Sequence, residues 1–115
     1  MRVIQQDIIQ ALQQEKNFHA GQGRDKVEWN GKEFEVRLWG NKIASGNIET
    51  ETVTVSSCGW STPTTTSRLN ALFAALDIPV SAVIRKGSLE FYRNGGEIIR
   101  ENTKTEAGKW ILTVV

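Results

Sequence analysis

The chain has 115 residues, with 14 basic and 13 acidic side chains and a net charge of +1, and this length predicts a single domain over residues 1–115. The mixed charges argue against a protein that grips duplex nucleic acid, and no apolar run is long enough to span a bilayer. Because the chain lacks a signal-peptide pattern and has one cysteine, Cys58, we expect a soluble intracellular domain without a disulfide.

The first predicted element is a helix over residues 2–16. Apolar residues recur along it at helical spacing, and its many glutamines favour helix without adding charge. The apolar band is formed by Val3, Ile4, Ile8, Ile9, Ala11 and Leu12. Such a helix either covers the sheet of its own subunit or packs on a partner helix. Because the band is wider than one small sheet needs to cover, we expect it to join two copies in a homo-oligomer, at least a dimer.

Residues 26–115 are predicted to form a sheet with one central helix. A connector over residues 17–24 leads into an alternating pattern that predicts a hairpin over residues 26–39, turning at Asn30-Gly31. A turn at Gly40-Asn41 and strands over residues 42–48 and 50–55 follow. Beyond the helix, which Asp77-Ile78-Pro79 ends, strands are predicted over residues 81–86, 89–93, 98–99 and 110–115, with a polar loop over residues 101–108. The fold class is α+β, a meandering and mainly antiparallel sheet with an N-terminal helix and one central helix.

The most informative segment, residues 58–70, precedes and opens the central helix. Its sequence is CGWSTPTTTSRLN, and apolar residues at helical spacing follow, with Thr65 or Thr66 as the expected N-cap. A helix N-terminus presents unpaired N–H groups to an anion such as phosphate, and Arg68 strengthens that field. Trp60 offers a face on which a base can stack. The same residues, taken alone, also suit a capped helix with a packing tryptophan.

Catalytic and metal-binding patterns are weak in this sequence. His19 is the only histidine and Cys58 the only cysteine, and no carboxylates cluster at metal-ligand spacing. Cys58 has no candidate partner except His19, which lies in a different segment, so an inert thiol is the better interpretation. The glycines match no phosphate-loop pattern. The sequence predicts a binding protein without a metal or cofactor, not an enzyme.

Two strand arginines complete a candidate ligand set. Arg37 and Arg85 each lie opposite the apolar residues of their own strand. Arginine pairs with phosphate oxygens in a forked geometry, and an asparagine such as Asn70 both donates and accepts at a base edge or a ribose hydroxyl. Together with Trp60 and Arg68 these residues make the set that a phosphate-bearing nucleotide needs. Each arginine, taken alone, also fits a solvated surface charge.

The run from Gly59 to Asn70, which includes Trp60, Thr62 and Thr65, resembles a motif of the phage Thoeris anti-defence sponge family in its α+β form. Beyond the motif, the resemblance rests on the order of the elements. It implies a protein that acts in the host cytoplasm. Members of that family sequester cyclic ADP-ribose signals made by bacterial TIR-domain enzymes without cleaving them. They assemble as dimers or hexamers, and some also bind cyclic oligonucleotides at separate sites.

The resemblance also implies a set of ligand-binding residues. The family's pocket uses an aromatic residue shortly before an asparagine, which Trp60 and Asn70 match. It also uses an arginine on an earlier strand and another after the motif helix, for which Arg37 and Arg85 are the best-placed candidates. The full predicted set is Arg37, Trp60, Thr62, Thr65, Arg68, Asn70 and Arg85. A tryptophan at position 60 departs from the family's smaller aromatic, which still allows stacking but changes the shape of the pocket.

Two other classes of function stay open on the sequence alone. One is a phage interaction protein that blocks a host protein surface and uses the N-terminal helix as its contact. The other is a binder of single-stranded nucleic acid, which the neutral charge disfavours and the pair Phe91-Tyr92 supports only weakly. Alternate residues of a strand point to opposite faces, so these two aromatics cannot line one stacking platform.

Overall fold

The structure, a computed structural model, describes residues 4–115. Over that range the chain forms two helices and ten strands. In chain order they are α1 (Ile4–Gln13), β1 (Phe18–Ala20), β2 (Asp25–Asn30), β3 (Glu33–Leu38), β4 (Asn41–Asn47), β5 (Thr52–Val55), α2 (Pro63–Leu76), β6 (Val80–Arg85), β7 (Ser88–Arg93), β8 (Ile98–Ile99), β9 (Thr103–Ala107) and β10 (Trp110–Val114). The predicted hairpin about Asn30-Gly31 is present as β2 and β3.

The strands form two sheets. Seven strands make the larger sheet, in the order β1-β2-β3-β4-β5-β10-β9, and β6, β7 and β8 make the smaller one. Neighbours in both sheets are antiparallel except β5 and β10, which run parallel with Thr52 opposite Ile111. The predicted α+β class, with an N-terminal helix, a central helix and a mostly antiparallel sheet, is confirmed.

One contiguous core joins both helices to both sheets. Ile8 and Leu12 of α1 and Leu69 and Leu72 of α2 are each at most 2% exposed, and burying a side chain of this size contributes about 1.5–3 kcal/mol. The smaller sheet joins this core through Phe91, whose ring meets Phe73 of α2 edge-on at 6.2 Å between centroids. Opposite the core, the larger sheet presents a polar face in alternating register.

Helix α1 packs against the core of its own subunit. Its apolar band is therefore not left over to join two copies. Its two central apolar residues, Ile8 and Leu12, lie in the core, while Ile4 and Ile9 are partly buried against it. The helix ends at Gln13, short of the predicted residue 16. The remainder of that prediction, residues 2 and 3 with Val3 of the apolar band, lies outside the described residues. A homo-oligomer stays a prediction, but not one that this helix face supports.

Three other local predictions are wrong in detail. The connector over residues 17–24 contains β1, whose Phe18 pairs with Val27, and the polar loop over residues 101–108 contains β9, which pairs with β10. The turn after β3 is centred on Trp39 and Gly40 because β4 already begins at Asn41. One missed strand, β1, has only three residues, and the other, β9, is mostly polar, so only pairing with a partner strand defines them.

Helix α2 begins earlier than predicted. Its N-cap is Thr62, not Thr65 or Thr66, and the Thr62 hydroxyl accepts a hydrogen bond from the Thr65 N–H. Pro63 occupies the first helical position, where its missing N–H costs nothing. At the other end Asp77 adopts a left-handed conformation with φ of 55° and caps the helix, as expected for the segment before Pro79.

Candidate functional site

The N-terminus of α2 is held by a network of threonines. The Thr62 and Thr65 hydroxyls lie 3.0 Å apart, and the Thr66 hydroxyl donates to the Thr62 carbonyl at 3.0 Å. The N–H of Thr64 has no hydrogen-bond partner within the described chain. This N–H and the partial positive charge of the helix end remain free for an acceptor.

Trp60 stands on a tight turn just before the helix. Its N–H donates to the Ser57 carbonyl at 2.8 Å, and Cys58 and Gly59 between them have positive φ. The Cys58 thiol donates to the carbonyl of Lys42, at the start of β4, at 3.0 Å. The indole is 57% exposed. The structure therefore presents Trp60 to solvent from a turn that is tied to β4.

A second exposed tryptophan, Trp39, stands on the turn between β3 and β4. Its N–H donates to the Arg24 carbonyl at 2.7 Å, and its side chain is 69% exposed, the highest value among the exposed large apolar residues of the described chain. The next carbonyl, that of Gly40, accepts from the Arg37 guanidinium at 3.1 Å. Trp39 is not among the predicted site residues. The signal that could have found it is a tryptophan followed by glycine at a predicted turn.

Both tryptophans line one cavity of about 200 Å³. Buried Leu38 and Ile43 also line it, and the start of α2 contributes its threonines. The lining residues are Leu38, Trp39, Asn41, Ile43, Trp60, Thr62, Thr64 and Thr65. The structure thus brings together three predicted site residues, Trp60, Thr62 and Thr65. None of the lining side chains, all within the described chain, is titratable at physiological pH.

Arg68 is buried and does not line this cavity. Its Nε donates to Asp25 at 2.6 Å, and Asp25 itself is 1% exposed. Arg24 donates to the other oxygen of the same carboxylate at 2.8 Å. The ion pair joins α2 to Asp25, the first residue of β2. The carbonyl of the preceding residue, Arg24, accepts the hydrogen bond from the Trp39 N–H. Arg68 therefore supports the scaffold of the cavity, and its charge is already paired within the chain.

Asn70 is likewise engaged in a structural contact. Its side-chain amide donates to the Ala82 carbonyl at 2.9 Å and accepts from the Ala82 N–H at 2.8 Å. Both polar atoms of the amide are used by the backbone of β6, so the contact fixes α2 against the smaller sheet. The two hydrogen bonds replace the strand partner that this edge of β6 lacks.

Arg37 and Arg85 lie at the surface and not at the cavity. Arg37 forms an ion pair with Glu35 at 3.0 Å on the polar face of the larger sheet. Arg85, on the smaller sheet, donates to the Tyr92 hydroxyl at 3.3 Å, and that hydroxyl donates to Glu90. The hydrogen bond with Tyr92, aided by the charge of Glu90, raises the pKa of Arg85 above its ordinary value. The guanidinium remains charged at all physiological pH values.

Substituting either arginine with alanine is expected to leave folding nearly unchanged. Exposed ion pairs contribute little to stability, so Arg37→Ala and Arg85→Ala should melt within a few degrees of the parent. If the guanidinium contacts a ligand phosphate, each change should weaken binding about tenfold or more. Thermal unfolding and calorimetric titration measure the two effects. Parental affinity in both variants would remove these arginines from the ligand-binding set.

A larger concavity of about 600 Å³ lies over strands β2 to β5, on the larger sheet. Its lining includes the polar side chains Glu28, Glu35, Ser45 and Thr54, which occupy one row across the sheet. None of the seven predicted site residues lines it. The concavity around the two exposed tryptophans is therefore the one that the motif residues build.

The described part of the chain contains no helix that could span a membrane. Neither helix is long and apolar enough to cross a bilayer. Groups of three or more histidine, cysteine or carboxylate side chains able to hold a metal ion are likewise absent from residues 4–115.

Comparison with models of protein families gives a match. The model of the Kyanoviridae Gp96 protein family aligns with residues 1–111, nearly the whole chain. Curated proteins and solved structures give no significant match. The sequence expectation of a phage protein is confirmed, since the chain belongs to the Kyanoviridae Gp96 protein family, a family of phage proteins.

Proposed function

We propose that this phage protein binds a cyclic ADP-ribose signal made by host TIR-domain immune enzymes and sequesters it without cleaving it. The observation that carries the proposal is the cavity at the start of α2, which Trp39 and Trp60 both line. The resemblance of the motif to the Thoeris anti-defence sponges supplies the class of ligand. Sequestration would take place in the cytoplasm of the host, where these signals are made.

The cavity offers the two kinds of contact that a nucleotide needs. A base that stacks on an aromatic side chain gains about 1–3 kcal/mol, and here two exposed indoles are available for one base. Beside them, the free N–H of Thr64 and the positive end of α2 favour a phosphate group. A base in the cavity and a phosphate over the helix end are therefore compatible with one bound molecule.

The chemistry of the lining favours binding over turnover. Proton transfer needs a positioned acid or base, and no titratable side chain lines the described cavity. The Thr62 and Thr65 hydroxyls face each other at 3.0 Å and cap the helix, so neither is paired with a base that could activate it. This supports a protein that holds its ligand intact.

In this proposal, arginine side chains contact the phosphate groups of the ligand only when two or more copies of the chain assemble. Within one chain, neither Arg37 nor Arg85 lines the cavity. Arg85 donates to Tyr92, and Arg37 pairs with Glu35 and donates to the Gly40 carbonyl in the Trp39 turn. We propose a homo-oligomer, a dimer or a hexamer, in which a neighbouring copy brings one of these arginines to the cavity. Cyclic oligonucleotides, which some sponges also bind, are a second ligand class to test.

The two alternative functions gain no support from the fold. Helix α1 buries its apolar side, and its exposed positions are occupied by glutamines such as Gln6 and Gln10, which makes it a poor contact for a host protein. Phe91 is 4% exposed and belongs to the core, so it is not available for stacking on single-stranded nucleic acid.

Sequestration can be tested by recovering the ligand. The protein is incubated with the products of a TIR-domain enzyme, freed of unbound small molecules, denatured by heat, and the supernatant is analysed by mass spectrometry. We expect intact cyclic ADP-ribose from the parent and much less from Trp60→Ala. A matched control is Val83→Ala, which changes a 37% exposed residue on the smaller sheet. Recovery of a linear product would indicate an enzyme, and recovery of nothing would contradict the proposal.

A further inference from the structure

We infer that Trp39 and Trp60 sandwich one heteroaromatic ring of the ligand and that Asn41 contacts the edge of that ring. We call this pair of indoles the tryptophan clamp. The inference rests on the proposed function, from which it takes the ligand class. It deepens that proposal by stating how the base is held and which side chain contacts its edge.

The first observation is that Trp39 has a backbone conformation that non-glycine residues seldom adopt. Its φ is 52°, in the left-handed region, and Gly40 follows with φ of 80°. Turns of this kind favour asparagine, aspartate or glycine at the first position. A non-glycine residue in this region of φ is disfavoured. The same pair of positive φ values occurs at Cys58-Gly59 and at Lys86-Gly87, so this turn does not itself require a tryptophan. What distinguishes Trp39 is that its side chain is 69% exposed and lines the cavity.

The second observation is that the two turns are fixed relative to each other. The Cys58 thiol ties the Trp60 turn to the Lys42 carbonyl, three residues after Trp39 along the chain. The Trp39 turn has two hydrogen bonds of its own: Arg37 donates to the Gly40 carbonyl, and the Arg24 carbonyl accepts from the Trp39 N–H. The backbone that carries each indole is therefore held by hydrogen bonds in the free protein, which lowers the entropic cost of binding a ligand.

The size of the cavity limits what can enter. Sites that enclose a drug-sized ligand have volumes of roughly 300–1,000 Å³, and this cavity has about 200 Å³. It holds one ring, and the ribose and phosphate groups stay outside it. The lining carries no charged side chain, which suits a flat neutral ring between the indoles.

Asn41 supplies polar recognition at the edge of the cavity. It is partly buried and lines the cavity, and its side-chain amide makes no hydrogen bond within residues 4–115. An amide offers two donors and an acceptor in one plane. A heteroaromatic ring carries ring nitrogens and exocyclic groups at its edge, so Asn41 can distinguish it from a hydrocarbon ring of the same size.

The test uses adenosine monophosphate as the probe that has a base, and ribose 5-phosphate as the probe that lacks one. By calorimetry the parent should bind adenosine monophosphate at least tenfold more tightly than ribose 5-phosphate. Trp39→Ala should lose about tenfold in affinity for the nucleotide, Trp39→Phe should recover part of that loss, and Val83→Ala should bind like the parent. Trp39→Gly should melt at or above the parental temperature, because it relieves the backbone strain.

The outcomes separate this inference from the proposed function. The tryptophan clamp is overturned if adenosine monophosphate does not bind, if ribose 5-phosphate binds equally well, or if Trp39→Ala keeps parental affinity. If cyclic ADP-ribose isomers bind while Trp39→Ala has no effect on any ligand, the proposed function stands and the clamp fails. If Trp39→Ala weakens nucleotide binding but no cyclic ADP-ribose isomer binds, the clamp stands and the proposed function fails.

Discussion

Asp25→Ala is expected to lower the free energy of unfolding by about 3–5 kcal/mol, because it leaves the guanidinium of Arg68 buried without its partner. The pair is enclosed, with side-chain exposures of 1% and 9%, and its shortest contact is 2.6 Å. For a chain of this length the loss corresponds to a fall in melting temperature of roughly 10–20 °C. Urea unfolding followed by circular dichroism measures the change.

A matched control is available on the surface. Glu35 forms a comparable ion pair with Arg37, but both side chains are at least one-third exposed, so Glu35→Ala should cost under about 1 kcal/mol. In the double variant Asp25→Leu/Arg68→Leu, no buried charge is left over from this pair, and stability should exceed that of Asp25→Ala. Equal stability of Asp25→Ala and Glu35→Ala would show that the buried ion pair of Arg68 with Asp25 contributes no more to stability than the surface pair.

Ile8→Asp is expected to unfold the protein and not merely to dissociate an assembly. Ile8 is 1% exposed within a single chain, so the change removes about 2–5 kcal/mol of packing and buries a carboxylate without a partner. Losses above about 4 kcal/mol are a large part of the stability of a typical domain. Circular dichroism at low temperature should show loss of the native signal.

The control for this second prediction is Gln6→Asp, which places the same side chain on the exposed side of α1 and should leave the fold intact. Light scattering then distinguishes folding from assembly. A folded Ile8→Asp variant with the parental melting temperature and a smaller mass would show that Ile8 contacts a second copy. That result would restore the helix-mediated dimer that the packing of α1 argues against.

Elements with a strong local signal could be predicted from the sequence. The hairpin of β2 and β3, the strands on either side of Gly87 and the end of α2 before Pro79 all follow from alternation, turn residues or proline. Strands β1 and β9 could not be found, because each depends on a partner strand. The parallel pairing of β5 with β10 also lacked a signal, since it joins residues as far apart as Thr52 and Ile111.

Only part of the predicted set of site residues lies together in the structure. Trp60 and the capping threonines follow from the motif, and the structure brings them to one cavity. Arg68 and Asn70 have the residue types of a nucleotide site, yet their partners are Asp25, 43 residues earlier in the chain, and Ala82. Only the tertiary fold shows that these side chains are already engaged. It also brings Trp39, distant in sequence, beside Trp60.

Calorimetric titration of the protein with cyclic ADP-ribose isomers tests the central claim most directly. We expect saturable binding by the parent, with a dissociation constant in the micromolar range or below, and a loss of at least tenfold in Trp60→Ala at an unchanged melting temperature. Absence of binding to every isomer, or equal affinity in the parent and Trp60→Ala, would contradict a nucleotide-sequestering site at the start of α2.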